Sequence, residues 1–188
     1  MLVELEIIKA CIKKNRKAQY DLYRNCYGFM MSICKRYATD NEEAASLMNM
    51  GFLKVLTHIE KYKTEIPFEL WMRRIMINTI IDDYRKNKKM KAMIEFKELH
   101  DNAHETESVL NLAVRKMNLE QLHLFIANLP NVSKRVFNLY VLDGYTHAEI
   151  AAMLEMSEGT SKWHLSTARQ KLQEMILNFN ESFKIKIA

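Results

Sequence analysis

Glycine and proline are scarce in this chain, four and two among 188 residues. Glycine supplies left-handed turns and proline punctuates loops, so this scarcity argues against an all-β sandwich and for helices. Cysteine is sparse and odd in number. Cys11, Cys26 and Cys34 have no CxxC spacing, which excludes a disulfide frame and fits reduced thiols in a cytoplasmic protein. No run of about 18 apolar residues exists, so no membrane span is expected. The start, MLVELEIIKACIKKN, is amphipathic and too charged for a signal peptide. A Gly-rich phosphate loop, HExxH and GxSxG are all missing, so neither an enzyme nor a cofactor is expected. His100 and His104, four apart beside Asp101 and Glu105, could suggest a metal site only if that stretch were helical. Two histidines in an acidic segment read better as solvated.

What is present is apolar periodicity and charge. Hydrophobic residues make up 48%, enough for real cores, and 28 Lys and Arg against 23 Asp and Glu leave a net charge of +5, which suits nucleic acid. Helical stripes are expected over Val3–Lys14, over about Lys17–Tyr37, from the Thr39-Asp40-Asn41 cap to about Ile59, and from near Phe68 onward. Arg85, Lys86, Lys88, Lys89 and Lys91 then form a basic run. Glu95, Glu98, Asp101, Glu105 and Glu107 follow as an acidic one. This reversal, poor in periodic apolar residues, marks a linker. Periodicity resumes at Val109 and Leu110, Pro130 closes that helix, and Asn131–Leu142 forms another, ended by Asp143-Gly144. The expected fold class is all-α, with two small helical domains. Residues 1–91 and 109–188 form the domains, and 92–108 the acidic linker.

The last stretch, GYTHAEIAAMLEMSEGTSKWHLSTARQKL, pairs a short amphipathic segment (Ile150, Ala151, Leu154) with a longer one opened by Ser157, a good N-cap. Two helices joined by so short a turn form a helix-turn-helix, whose second helix enters a DNA major groove. At about 100° per residue, Lys162, Ser166 and Arg169 border one side of the apolar stripe, and His164 and Lys171 the other. Trp163, Gln170 and Ser166 project between them. Cations at the flanks suit phosphates, and flat or hydrogen-bonding groups in the middle suit base edges. A merely solvated amphipathic helix would carry the same cations; the turn and short helix ahead of it favour DNA.

On the fourth helix Arg74, Asn78 and Arg85 fall on one line, with Asp82 beside them and Trp71, Met72, Ile75, Met76 and Thr79 elsewhere. Aromatic rings beside cations serve single-stranded DNA, where bases stack and phosphates pair. Trp71 reads better as core than as a base contact. The Arg-Asn line, extended by the basic run, reads as a nucleic-acid face. The Asp82-Asp83 pair reads as structural.

These motifs resemble the extracytoplasmic-function sigma factors, promoter-recognition subunits of bacterial RNA polymerase. Leu22–Lys89 resembles sigma region 2, through W-x-R-x-I-x-x-N-x-x-x-D-x-x-R at Trp71, Arg73, Ile75, Asn78, Asp82 and Arg85. Leu129–Leu172 resembles region 4, through EGTSKxxLxxARxKL. The resemblance implies core RNA polymerase and promoter DNA as partners and admits an anti-sigma protein. It implies that region 2 melts the −10 element and catches a flipped base in the loop Lys61–Leu70. Lys61, Lys63, Phe68, Arg74, Asn78, Arg85, Lys86 and Lys88 would serve there. Lys162, Trp163, His164, Ser166, Arg169, Gln170 and Lys171 would read the −35 element. The acidic linker would enter a basic polymerase channel.

Two departures stand out. The family's third helix carries D-A-E-D-x-x-Q-E-x-F at its polymerase contact, whereas this chain has Glu43, Ala44, Ala45, Ser46, Asn49, Met50 and Phe52. Two acids and the glutamine are missing. The contact, expected through Glu43, Ser46, Met48, Asn49 and Met50, is therefore more apolar, or the chain is a stand-alone helix-turn-helix regulator that does not bind polymerase. Glu155 stands where the turn usually has glycine, and Trp163 is an uncommon DNA-facing residue.

Overall fold

The computed structural model describes residues 3–92 and 119–185. The chain divides into two compact units, Met1–Phe96 and Lys97–Ala188. Among the described residues every regular element is helical.

In the first unit α1 spans Leu5–Ile12, α2 Arg16–Lys35, α3 Asn41–His58 and α4 Phe68–Ala92, with a 3₁₀ turn at Ile59–Lys61. The chain leaves α1 through Lys14 in the left-handed region (φ 59°), and Asn15 caps α2 by accepting from the Ala18 amide at 3.0 Å. Asp40 caps α3 in the same way, from the Glu43 amide at 2.7 Å. The Glu43 carboxylate reaches back to the Thr39 amide at 2.6 Å and its hydroxyl at 2.7 Å. The apolar stripes meet in one core of Leu22, Met30, Ile33, Met48, Met72, Met76, Ile77 and Ile81. Cys26 and Cys34 lie within it, and burial pushes both thiols up to about 12, so neither is a thiolate at neutral pH. Helices α3 and α4 approach closely at Gly51, where a Cβ would land on the Met76 side chain.

The expected basic run belongs to the tail of α4, which continues to Ala92. The acidic stretch, His100, His104 and the first residues expected of the next helix lie outside the described residues.

In the second unit α5 spans Leu119–Ala127, α6 Asn131–Phe137, α7 His147–Leu154 and α8 Glu158–Ile185. Two sequence expectations shift here. Helix α5 ends at Ala127, and Pro130 instead precedes α6, its carbonyl accepting from the Lys134 amide at 2.8 Å. The single helix expected over Asn131–Leu142 is α6 followed by a π-turn at Asn138–Leu142, because Asp143 N–H bonds back to Asn138 O at 3.0 Å, five residues earlier. Gly144 then takes φ 76°, and its missing Cβ makes that turn cheap. The core joins Ile126 and Leu129 to Ala168 and Leu172, with Leu122, Phe125, Phe137 and Met175 against them.

Candidate nucleic-acid interface

The second unit holds its helix-turn-helix by caps and directional side-chain bonds. Thr146 and Glu149 form a reciprocal capping box at the start of α7. Helix α7 ends at Glu155 in the left-handed region (φ 55°, ψ 54°), and Met156 N–H returns to Ala151 O at 3.1 Å, the six-to-one bond of a Schellman turn. Ser157 caps α8 as the sequence indicated, accepting from the Thr160 amide at 3.0 Å. Helix α8 buries Ser161, Leu165, Ala168, Leu172 and Ile176. That leaves Lys162, Arg169, Gln170 and Lys171 exposed and Trp163, His164 and Ser166 half-buried. The outward face thus carries cations around a central indole.

Two polar pairs tie α8 to its neighbours. His147 Nδ1 lies 2.9 Å from Ser161 Oγ, and Tyr140 stacks on the His147 ring at 4.5 Å. His164 Nδ1 lies 3.0 Å from Ser133 Oγ, and the Trp163 ring meets His164 edge-on at 4.8 Å. Burial, with Lys162 and Arg169 against Glu158, pulls the His147 imidazole below its ordinary value.

In the first unit the loop between the 3₁₀ turn and α4 rests on three aromatic rings. Tyr62 lies 5.1 Å from Phe68 and 5.4 Å from Trp71, and Phe68 5.5 Å from Trp71. Tyr62 Oη donates to Ile66 O at 2.8 Å, closing the loop. Lys61 and Lys63 are exposed on it. Along α4, Arg74, Asn78, Lys86 and Lys88 are exposed and Arg85 half-buried. From Arg74 to Lys88 this face runs about 21 Å at the α-helical rise. Asp82 pairs with Lys54 at 3.0 Å, Asp83 accepts from Asn87 at 2.9 Å, and Arg73 covers the Phe29 ring at 5.2 Å.

Comparison with known proteins agrees with both halves. Residues 22–90 match Sigma-70 region 2 and residues 119–172 match Sigma-70, region 4. The chain is 27% identical over 159 residues to the ECF RNA polymerase sigma factor SigM of Bacillus subtilis, covering 83% of this chain and 91% of that one. It is 22% identical over 156 residues to RNA polymerase sigma factor SigZ of the same organism, covering 83% and 85%. This chain belongs to the extracytoplasmic-function sigma factors. A solved structure of the sigma factor RpoE of Bartonella quintana, in complex with the anti-sigma factor NepR, aligns at a TM-score of 0.48 and 16% identity, over 84% of this chain and 97% of that one.

A sigma factor initiates transcription at specific promoters, and the structure sorts the residues read from the sequence for that task. On α8 the seven expected residues lie on one helix, Lys162, Arg169, Gln170 and Lys171 exposed and Trp163, His164 and Ser166 half-buried. In the first unit Phe68 departs from expectation. It is 7% exposed, so its ring supports the loop from beneath and has no surface to offer a base. Trp71, read as core, is half-buried at the edge of the same cluster. On α3 a second correction applies. Met48 is 1% exposed because it falls on the stripe facing the core, so no partner reaches it. Ser46, Asn49 and Met50 are exposed, while the Glu43 carboxylate is occupied by its own cap. Three surface or supporting residues went unread. Leu53 is 66% exposed, on the line of Ser46 and Asn49, and its apolar character on a polar face was a legible signal. Tyr27 on α2 is 45% exposed, its ring 5.9 Å from that of Tyr23. Ser133, which holds His164 from 31 residues away, gave no sequence signal. Among the described residues no group of three His, Cys, Asp or Glu could hold a metal ion, and no helix is long and apolar enough to cross a membrane.

Proposed function

We propose that this sigma factor grips its promoter at two points, with residues 1–91 on the −10 element, residues 109–188 on the −35 element and 92–108 as the linker. The observation that carries this is the pair of outward cationic faces, one in each unit, on chains matching regions 2 and 4. Lys162, Arg169 and Lys171 neutralise phosphates at the −35 element, and Trp163, His164, Ser166 and Gln170 face the bases. A phosphate contact fixes register without reading sequence, so promoter choice falls to these four. In the first unit Lys61 and Lys63 draw the displaced strand to the loop. Arg74, Asn78, Arg85, Lys86 and Lys88 follow its backbone, while Tyr62 and Trp71, braced by Phe68, offer ring faces to an unstacked base.

Core RNA polymerase is bound through the exposed face of α3, with Ser46, Asn49 and Met50 in the contact and Glu43 shaping its first turn. The factor is a non-catalytic subunit that works in the cytoplasm beside the polymerase. An anti-sigma protein is a further partner, as in the complex of the Bartonella protein with NepR. The test is reconstitution with core polymerase. Stable association and transcripts that start only at promoters selected by the holoenzyme support the reading. Duplex binding with no association and no transcripts would refute it.

A further inference from the structure

Cations gather where α1 hands over to α2. Lys13, Lys14, Arg16 and Lys17 are all exposed, and among the described residues none of them pairs with a carboxylate. Asp21, half-buried, is the only acid from residue 13 to residue 27. The fold does not require these charges. Arg16 and Lys17 stand in the first turn of α2, which holds no acid, and the helix dipole disfavours cations there. Lys14 takes a left-handed φ of 59°, where glycine or asparagine is less strained. Exposed rings follow along α2. Tyr20 and Tyr27 are 59% and 45% exposed and, at i and i+7, share one side of the helix about 10 Å apart. Arg24 lies over the Tyr20 ring at 5.8 Å.

The helix pairing places this patch. Helices α2 and α3 are joined by residues 36–40 and pack on each other, with Tyr23 Oη donating to Asn49 Oδ1 at 3.2 Å. They therefore run antiparallel, and the start of α2 lies toward the end of α3 and the 3₁₀ turn Ile59–Lys61. Helix α1 packs on that same turn. The patch thus adjoins Lys61 and the loop that follows it.

We propose that Lys13, Lys14, Arg16, Lys17, Tyr20 and Tyr27 bind single-stranded DNA and carry the melted promoter strand onward from that loop. This rests on the reading of the first unit as the holder of the melted strand. Lysine and arginine pair with phosphates while bases stack on exposed rings, and neither contact depends on sequence. An acidic protein partner fits less well, because lysine is depleted at protein–protein interfaces.

The experiment uses holoenzyme reconstituted from the full-length chain and a fluorescent promoter whose melted region is held open by mismatches. Its Kd is measured over about 0.1–0.4 M NaCl, a range in which phosphate contacts are strongly salt-dependent. Arg16→Ala with Lys17→Ala removes two phosphate contacts, so the slope of log K against log salt falls by about 1.4, at about 0.7 per contact on a single strand. Tyr20→Ala weakens binding about tenfold with the slope unchanged, as loss of one stacked base does, and Tyr20→Phe restores it. Both variants keep full affinity for a promoter duplex that stops upstream of the melted region. By circular dichroism the double variant melts no lower than wild type, since it relieves the repulsion of the helix dipole. Lower melting with equal loss on both templates would make the cations structural and overturn the proposal. Loss in the double variant with none in Tyr20→Ala would leave an anion patch that stacks no base, and the proposal is wrong. If neither variant loses affinity while Arg74→Ala does, the proposal falls and the two-point grip stands. If Arg74→Ala and Lys88→Ala also have no effect, the reading of the first unit falls with it.

Discussion

Replacing Glu155 by glycine should stabilise the second unit. Glu155 ends α7 at φ 55° and ψ 54°, a conformation that costs an L-residue about 1–2 kcal/mol through its Cβ. Glycine removes that strain but adds about 0.4–1 kcal/mol of unfolded-state entropy. The net gain is about 0.5–1 kcal/mol, equivalent to roughly 2–8 °C in a domain of this size. The glutamate side chain makes an interaction of its own, so Glu155→Ala is the needed reference. It loses the same side chain and keeps the Cβ. The chain has two tryptophans, Trp71 in the first unit and Trp163 in the second. In a Trp71→Phe background, Trp163 fluorescence therefore follows the melting of the second unit alone. Glycine should melt above alanine by the stated margin. Coincident transitions, or a lower one for glycine, would show that the turn is not strained in solution.

Gly51→Val should destabilise the first unit by about 1–3 kcal/mol through overpacking against Met76. Adding Met76→Ala should cost less than the two single losses combined, and strict additivity would deny the contact. His147 is held below its ordinary pKa, first by burial. The unfolded chain therefore takes up this proton before the native one does. Its stabilising contribution is complete above about pH 6.5 and is lost as pH falls through the native value. Melting temperatures between pH 7.5 and 5 should fall more steeply for wild type than for His147→Gln, and parallel profiles would contradict this. Trp163→Ala should reduce promoter-dependent transcription by about tenfold, the scale of one lost base contact, with little change in melting temperature. A large thermal loss with promoter preference retained would make the indole a packing residue.

Much of this fold was legible because its signals are local. The 3.6-residue stripes, the caps at Asp40 and Ser157, and the turn at Glu155 each lie within a few residues of the feature they set. Boundaries slipped where distant contacts decide. Pro130 reads equally well as the end of one helix and the start of the next, and the packing of α6 on α8 accompanies the second. Helical periodicity placed Arg74 and Asn78 outward correctly, but it could not rank neighbours on a wide face. Met48 and Met50 looked equivalent in composition, yet the 200° between them buries one and exposes the other. Phe68 was read for its chemistry in a loop, whereas its position at the first turn of α4 puts it beneath that loop. Ser133 was invisible because a serine announces nothing until a histidine arrives from another helix.

That histidine pair bears on how the N-terminal end of α8, the end proposed to read the promoter, is aimed. Apolar contacts along Leu165, Ala168 and Leu172 are non-directional, and small rotations about the helix axis change them little. The two serine–histidine bonds are different, since each requires both distance and angle. They lie at Ser161 and His164, within the first two turns, next to Lys162, Trp163 and Ser166. Ser161 is fully buried, so removing His147 leaves a hydroxyl unsatisfied at about 1–3 kcal/mol, and a rotated helix would incur the same penalty. Rotation of about 100°, one residue's worth, would exchange the indole for a neighbouring side chain on the outward face. The polar pairs therefore set which side chains α8 turns outward, while the apolar tail holds the helix on its unit. Ser133→Ala tests this division, since His164 then loses its anchor. It should broaden promoter preference more than it lowers the melting temperature of the Trp163 reporter, whereas equal promoter selectivity in the variant would assign helix orientation to the apolar contacts alone.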